Sequence, residues 1–155
     1  MTTNWKKRLI CWAIPLAAGG LSALLAGGMD IYKTIARPPL SPPGWIFPIV
    51  WTILYLLMGE ASYRVLTSGA EEKKIRSALT AYGVQLVLNV LWSPLFFRFQ
   101  WFLAAFVLLL VLLVAIFVTM RKFYEMDERA GDLLLPYFLW VTFAGYLNLG
   151  VFLLN

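Results

Sequence analysis

Five long apolar runs, separated by short polar connections, restrict what this chain can fold into more than any other feature. A helix needs roughly 20 apolar residues to cross a bilayer. The runs lie at residues 9–26, 44–64, 77–97, 101–120 and 133–154. Only 14% of the residues are charged, against about 25% in an ordinary soluble domain. We therefore predict an all-α membrane protein in which residues 1–155 form a single bundle of five transmembrane helices.

The start of the chain admits two interpretations. Lys6, Lys7 and Arg8 precede the first apolar run, which is also how a cleaved secretory signal begins. The run is, however, longer than the roughly 7–15 apolar residues of a signal core. We interpret it as the first membrane span.

Basic residues are concentrated on one side of the predicted bundle. Three precede the first run, four lie between residues 64 and 76, and three lie between residues 121 and 129, whereas Lys33, Arg37 and Arg98 lie on the other side. The positive-inside rule then places the N-terminus in the cytoplasm. A net charge of +5 would also suit a nucleic-acid-binding protein. Because membrane topology explains the clustering at span ends, we expect no nucleic-acid partner.

The residue types that are missing exclude several kinds of chemistry. The chain has no histidine and a single cysteine, Cys11. Without histidine we expect no zinc site of the usual type, no histidine general base and no imidazole ligand for haem iron. One thiol cannot form an intrachain disulfide. We therefore predict neither a metal site nor a required cofactor.

The first connection and the start of the second run are rich in proline and aromatic residues. Pro38 and Pro39 are followed by the Pro42-Pro43-Gly44 sequence. Proline fixes its own φ and keeps the preceding residue extended. We expect a stiff loop, with a short amphipathic turn at residues 30–36, that caps an internal pocket. Trp51 and Tyr55 share a helix face and would form one wall of that pocket.

Amides and aromatic residues share faces in the third and fifth runs. Asn89 follows Gln85 by four residues and precedes Trp92, while Trp140, Ala144 and Asn148 lie at i, i+4 and i+8. Polar groups inside a span are costly unless they face the bundle interior. These residues either bond neighbouring helices or line a pocket, and the pattern alone leaves both possibilities open.

Three smaller patterns make further structural predictions. Gly19, Ala23 and Gly27 recur at four-residue spacing and form either a packing face or a dimer seam. Glu60 and Arg64 are spaced for an i,i+4 ion pair. Pro94 is expected to kink or end the third span.

Ordered motifs along nearly the whole chain carry a family resemblance. They are Pro42-Pro43-Gly44 with Pro48, Trp51 and Leu54; Asn89 with Trp92 and Phe96-Phe97; and Pro136-Tyr137 with Trp140 and Tyr146-Leu147-Asn148. With the length and the five-run layout, they resemble the tryptophan-rich sensory protein family. These proteins are the bacterial relatives of the mitochondrial translocator protein, the peripheral benzodiazepine receptor.

The resemblance implies a five-helix bundle, often dimeric, whose pocket is capped by the first loop. The ligands implied are porphyrins such as protoporphyrin IX, other apolar planar molecules and, in the mitochondrial members, sterols. No cofactor would be required, porphyrin would be a ligand, and the membrane would be that of a bacterial cell. Carried over by position, the ligand-binding residues would be Tyr32, Pro42, Trp51, Tyr55, Asn89, Trp92, Trp140, Ala144 and Asn148.

Three functions compete at this point. The first is porphyrin sensing, transport or regulation through binding. The second, also implied by the resemblance, is light- and oxygen-dependent breakdown of protoporphyrin IX with Trp51 and Trp140 as catalytic residues. The third is a scaffold without a ligand, for which a stiff proline-rich loop has little use.

Overall fold

The protein is a bundle of five long helices with one short helix in the first connection. The computed structural model describes residues 3–155, and no strand occurs among them. The helices are α1 (Trp5–Ala26), α2 (Ile31–Thr34), α3 (Ile46–Leu66), α4 (Glu72–Ser93), α5 (Phe102–Met126) and α6 (Glu128–Leu154). The five long elements are long and apolar enough to cross a membrane. The predicted all-α fold with five membrane spans is confirmed.

The long helices close into a ring. α1 packs against α3 and α4, α3 packs against α6, and α5 packs against both α4 and α6. The end that holds the start of α1 is called here the N-terminal end, and the end that holds residues 27–45 is called the loop end. Met58, Ile116 and Phe123 are fully buried among α3, α4, α5 and α6. This packed core lies toward the N-terminal end.

The helices continue past the predicted apolar runs at the N-terminal end. α4 begins at Glu72 rather than at residue 77, α5 ends at Met126 rather than at 120, and α6 begins at Glu128 rather than at 133. The added turns contain Lys, Arg and Glu, which are good helix formers and can hold their charged groups in water. Hydropathy marks the part of a helix in the hydrocarbon layer, and the helix itself extends beyond that layer.

Pro94 ends the α-helical part of the third span, as predicted, without leaving the Val90 carbonyl group unpaired. Five residues, Pro94–Arg98, continue the helix as a π-helical turn, in which the Phe99 N–H donates to the Pro94 carbonyl oxygen at 3.0 Å. Proline has no N–H to donate to Val90, four residues earlier. The Ser22 hydroxyl on α1 donates to that Val90 carbonyl oxygen instead, at 2.9 Å.

The predicted ion pair between Glu60 and Arg64 is wrong, because each residue pairs with another part of the chain. Glu60 accepts hydrogen bonds from the Arg8 Nε at 2.8 Å and from the Trp12 indole N–H at 3.1 Å. Arg64 donates to Asp127 at 3.2 Å. An exposed i,i+4 pair is worth only about 0.3–0.5 kcal/mol, so these half-buried partners on neighbouring elements are preferred. They join α1 to α3, and α3 to the α5–α6 turn.

The first connection is tied to the last turns of α6. The Ala36 N–H donates to the Asn155 side-chain oxygen at 3.1 Å, and the Asn155 amide donates back to the Ala36 carbonyl at 2.8 Å. The Tyr146 hydroxyl donates to the Pro39 carbonyl at 2.7 Å. The Pro38 ring packs directly on Gly150, which leaves no room for a side chain there. The loop is thus held against α6 and includes the short amphipathic turn predicted for residues 30–36.

Candidate ligand-binding site

A cavity of about 420 Å³ lies in the loop-end half of the bundle. Its volume falls within the roughly 300–1,000 Å³ of small-molecule sites. Residues from all five long helices and from the loop line it: Leu16, Gly19, Gly20, Ser22, Ala23, Ala26, Gly28, Met29, Phe47, Pro48, Trp51, Thr52, Tyr55, Asn89, Trp92, Ser93, Phe97, Leu109, Leu112, Trp140, Val141 and Ala144. None of these described residues carries a charge.

Aromatic rings form much of the cavity wall. Trp51 stacks on Tyr55 with ring centroids 5.5 Å apart and an interplanar angle of 29°. Phe47 meets Trp140 in an edge contact, with the centroids 5.8 Å apart. Such pairs contribute roughly 0.5–1.5 kcal/mol beyond the burial of their area. The rings hold one another in place and present flat apolar faces.

A chain of hydrogen bonds crosses the bundle at the deep side of the cavity. The Tyr55 hydroxyl donates to the Asn89 side-chain oxygen at 2.8 Å, and the Asn89 amide donates to the Tyr137 hydroxyl at 2.7 Å. Tyr137 in turn donates to the Gln85 side-chain oxygen at 2.7 Å. The sequence pattern left two roles open for Asn89, and the structure shows both: Asn89 forms hydrogen bonds with neighbouring helices, and it also lines the cavity. Its amide keeps one hydrogen and one lone pair for a ligand.

Asn148 lies behind the cavity wall and positions Trp92. It is almost completely buried, accepts a hydrogen bond from the Trp92 indole N–H at 3.0 Å, and donates to the Phe102 carbonyl at 2.8 Å. It is not among the lining residues. Its amide joins α6 to both α4 and α5.

Tyr32 and Pro42 also lie outside the lining. The Tyr32 hydroxyl donates to the Pro42 carbonyl, and the Tyr32 ring makes an edge contact with Phe47 at 5.2 Å between centroids. The Arg37 guanidinium carbon lies over the Tyr32 ring, 4.5 Å from its centroid. Tyr32 therefore supports a lining residue from behind.

Six of the nine residues expected from the family resemblance meet around the cavity. They are Trp51, Tyr55, Asn89, Trp92, Trp140 and Ala144. The other three, Tyr32, Pro42 and Asn148, stand one layer back. Whether any of the nine contacts a ligand stays a prediction.

The contribution of α1 was missed by the sequence reasoning. Gly19, Ala23 and their neighbours line the cavity, although their spacing was interpreted as a packing face or a dimer seam. A side chain on Gly19 would overlap the Tyr55 ring. Gly27 takes no part in that face, because it ends α1 in the left-handed conformation with φ of 73°. The small-residue spacing was the available signal, and at Gly19 it agrees with a packing face, because the Tyr55 ring of α3 packs there.

The indole N–H of Trp140 is a candidate donor for a ligand. Its nitrogen is buried and has no hydrogen-bond partner within residues 3–155, while the residue lines the cavity. Leaving a buried donor unpaired costs about 1–3 kcal/mol. An acceptor atom on a bound molecule would remove that cost.

A family model and several known proteins are similar to this chain over most of its length. The family model of the TspO/MBR family matches residues 11–154. The chain is 40% identical to the tryptophan-rich protein TspO of Chlorobaculum tepidum over 80% of this chain and 78% of that protein. It is 37% identical to the tryptophan-rich sensory protein of Cereibacter sphaeroides over 100% and 95% of the two chains. It is 33% identical to the translocator protein of Bos taurus over 96% and 89%.

Proposed function

This chain belongs to the TspO/MBR family of membrane proteins, and from that premise we propose that its cavity binds protoporphyrin IX or a similar flat tetrapyrrole. Binding would serve porphyrin sensing, transport or regulation. The observation that carries the proposal is a cavity walled by Trp51, Trp92 and Trp140 with no charge on any described lining residue.

The chemistry of the lining suits a planar apolar ring. Aromatic faces gain energy from offset stacking as well as from burial, and a tetrapyrrole offers an extended flat face. The chain has no histidine to ligate a haem iron. A metal-free porphyrin needs no such ligand, so it is the favoured member of the class.

We further propose that residues 27–45 cap the cavity. Gly28 and Met29 already contribute to its lining, and Tyr32 holds Phe47 from the loop side. The bonds from Asn155 and Tyr146 would keep this cap closed. The cap accounts for the proline-rich stiffness of the connection.

Titration with protoporphyrin IX tests the binding proposal. Replacement of both Trp51 and Trp140 by phenylalanine should raise the dissociation constant about tenfold or more, since each lost indole contact is worth roughly 0.5–1.5 kcal/mol. The matched control is Trp101→Phe, because Trp101 is exposed and lies outside the lining. Unchanged affinity in the double variant would contradict the proposal.

Light- and oxygen-dependent breakdown of the bound porphyrin is a second candidate function. The observation that favours it is the contact of Trp51 with two tyrosines, stacked on Tyr55 and in edge contact with Tyr137 at 6.2 Å. When one of these electron-rich rings loses an electron, a ring in contact with it can donate an electron to replace the one lost. Illumination in the presence of oxygen should yield a degradation product with the native protein and not with the Trp51→Phe, Trp140→Phe variant. The same product from both proteins would mean that the protein only holds the porphyrin.

A further inference from the structure

The seam between α1 and α3 is tight at one end and open at the other. At the N-terminal end, a Cβ atom on Gly59 would lie 2.7 Å from the Trp12 Cα, so the two backbones are in direct contact. Closer to the loop end, the Tyr55 ring fills the space next to Gly19. Gly20 points about 100° away from Gly19 around α1, and a Cβ atom on it would meet nothing within 4 Å.

The cavity reaches this open part of the seam from the inside. Its lining includes exposed residues on the α1 side and on the α3 side of the seam, as well as the buried Tyr55 and Asn89. The exposed ones at the seam are Leu16, Gly20 and Ala23 on α1, and Pro48 and Thr52 on α3, and Gly28 in the first connection is also exposed. A single cavity lined by both core and surface residues opens to the outside between the two helices.

The surroundings of the opening are apolar and belong to two helices that are long and apolar enough to cross a membrane. Leu24 on α1, and Ile49 and Ile53 on α3, are large exposed residues beside it. Thr52 is six residues into α3, and at 1.5 Å per residue this places it about 9 Å from the start of the helix. The Thr52 hydroxyl donates to the Pro48 carbonyl of its own helix at 2.7 Å. The opening therefore presents little polarity to a passing molecule.

We propose that the cavity is filled from the bilayer, through a lateral portal between α1 and α3 formed by Leu16, Gly20, Ala23, Pro48 and Thr52. The molecule that passes is one dissolved in the acyl-chain layer. Its identity as a tetrapyrrole rests on the proposed function, whereas the portal itself admits any acyl chain. The loop end is the less open route, because Asn155, Tyr146 and Pro38 hold the connection against α6.

Cross-linking with a photoreactive lipid tests the portal without any porphyrin. The protein would be placed in nanodiscs that contain phosphatidylcholine with a diazirine group in the acyl chain, and adducts would be mapped by mass spectrometry after illumination. In the native protein we expect adducts on the cavity residues Trp51 and Tyr55. Leu24, which is 78% exposed, serves as the calibration for ordinary lipid contact.

Two independent variants narrow the portal, and one controls for the substitution. Gly20→Leu acts from α1 and Thr52→Phe from α3, and each should reduce the Trp51 and Tyr55 adducts several-fold while Leu24 is still labelled. Gly83→Leu is the matched control, because Gly83 also has nothing within 4 Å of an added Cβ and is not part of the lining. Absence of cavity adducts in the native protein, or equal yields in both portal variants and the control, would overturn the proposal.

A kinetic experiment connects the portal to the ligand. Protoporphyrin IX loaded into vesicles should associate several-fold more slowly with Gly20→Leu and Thr52→Phe than with Gly83→Leu. Asn155→Ala, which loosens the loop, should leave that rate near the native one. The reverse pattern would place entry at the loop end and overturn the portal. If porphyrin does not bind at all, the proposed function fails, and the lipid adducts alone decide the portal.

Discussion

Two asparagines show how residues of one type take different roles through their neighbours. Asn89 lines the cavity and is held by Tyr55 and Tyr137. Asn148 is buried behind the wall and directs its oxygen to the Trp92 indole. Both cross-link helices, as buried amides in a membrane must, but only Asn89 has hydrogen-bonding capacity that faces the cavity.

Gly19 makes a residue-scale prediction. Gly19→Ala should destabilise the protein by about 1–3 kcal/mol, because the added methyl group overlaps the Tyr55 ring and overpacking costs that much. The displaced ring would also lose its bond to Asn89. Thermal unfolding in detergent measures the effect.

The control for that prediction is Gly83→Ala. Gly83 has open space around an added Cβ, and replacing a helical glycine by alanine gains roughly 0.5–1 kcal/mol. A Gly19→Ala protein as stable as Gly83→Ala would contradict the packing argument.

Asp127 makes a prediction about pH. Burial raises the pKa of its carboxyl group, but the hydrogen bonds from the Ala130 N–H and from Arg64 outweigh burial and leave the pKa below its usual value. A carboxyl group with a lowered folded-state pKa stabilises the protein above its unfolded pKa of about 3.9. That contribution is lost as the pH falls through the folded-state pKa.

The comparison of the native protein with Asp127→Asn isolates this effect. Asparagine can still cap α6 but cannot pair with Arg64 as an anion. The native protein should unfold at a higher temperature than the variant near pH 6, and the difference should shrink toward zero below about pH 4. A difference that stays constant over this range would show that the charge of Asp127 does not matter.

At the scale of the elements, Pro94 changes the hydrogen bonding at the end of α4. A proline four residues after Val90 would normally leave the Val90 carbonyl without a donor. The Ser22 hydroxyl on α1 is that donor. After Ser93 the chain continues as a π-helical turn, Pro94–Arg98. Prolines are tolerated in membrane spans when neighbouring residues form hydrogen bonds with the freed backbone groups. Here the neighbouring residue is Ser22.

A double-mutant cycle tests this account. Ser22→Ala should cost about 1 kcal/mol, because it leaves the half-buried Val90 carbonyl unpaired. In a Pro94→Ala background, the restored N–H at position 94 can donate to Val90, and Ser22→Ala should then cost much less. Unfolding free energies of the four proteins in detergent measure the coupling, and simple additivity would contradict it.

At the scale of the whole molecule, the ring of five helices separates a packed end from a hollow end. The core around Met58 and Phe123 fills the N-terminal half, and the cavity occupies the loop-end half. The charged groups of Arg8, Glu60 and Arg64 close the packed end. A bundle built in this way can hold a ligand without giving up its main source of stability.

The orientation in the membrane is a prediction at this scale. We expect the N-terminus in the cytoplasm, because ten of the 13 basic residues lie at the N-terminal end of the bundle. Alkaline phosphatase fused after residue 99 should be active in a bacterial host, whereas a fusion after residue 69 should be inactive. The opposite result for both fusions would reverse the orientation.

Homodimer formation also stays a prediction. Gly19 packs against the Tyr55 ring of its own protomer, so we expect Gly19 not to form the seam of a dimer. Subunit counting by single-molecule photobleaching in nanodiscs should give two copies per disc at limiting protein. One copy per disc would contradict the dimer.

The sequence by itself determined the five-span layout, the all-α class and six of the 22 residues that line the cavity. Runs of apolar residues reveal spans because unpaired backbone groups are not tolerated in lipid, and helical spacing placed Trp51 with Tyr55 and Trp140 with Ala144 on shared faces. These properties depend on residues near one another in the chain, so periodicity reports them.

Only the tertiary structure decided which residue on another helix each side chain contacts. The Glu60–Arg64 spacing is local, yet Arg8 lies 52 residues from Glu60 and is the partner that Glu60 takes. The role of Ser22 depends on Val90, and that of Gly19 depends on Tyr55. Each of these pairs joins α1 to a helix that follows later in the chain, and no pattern within one helix encodes the identity or the approach of its neighbour.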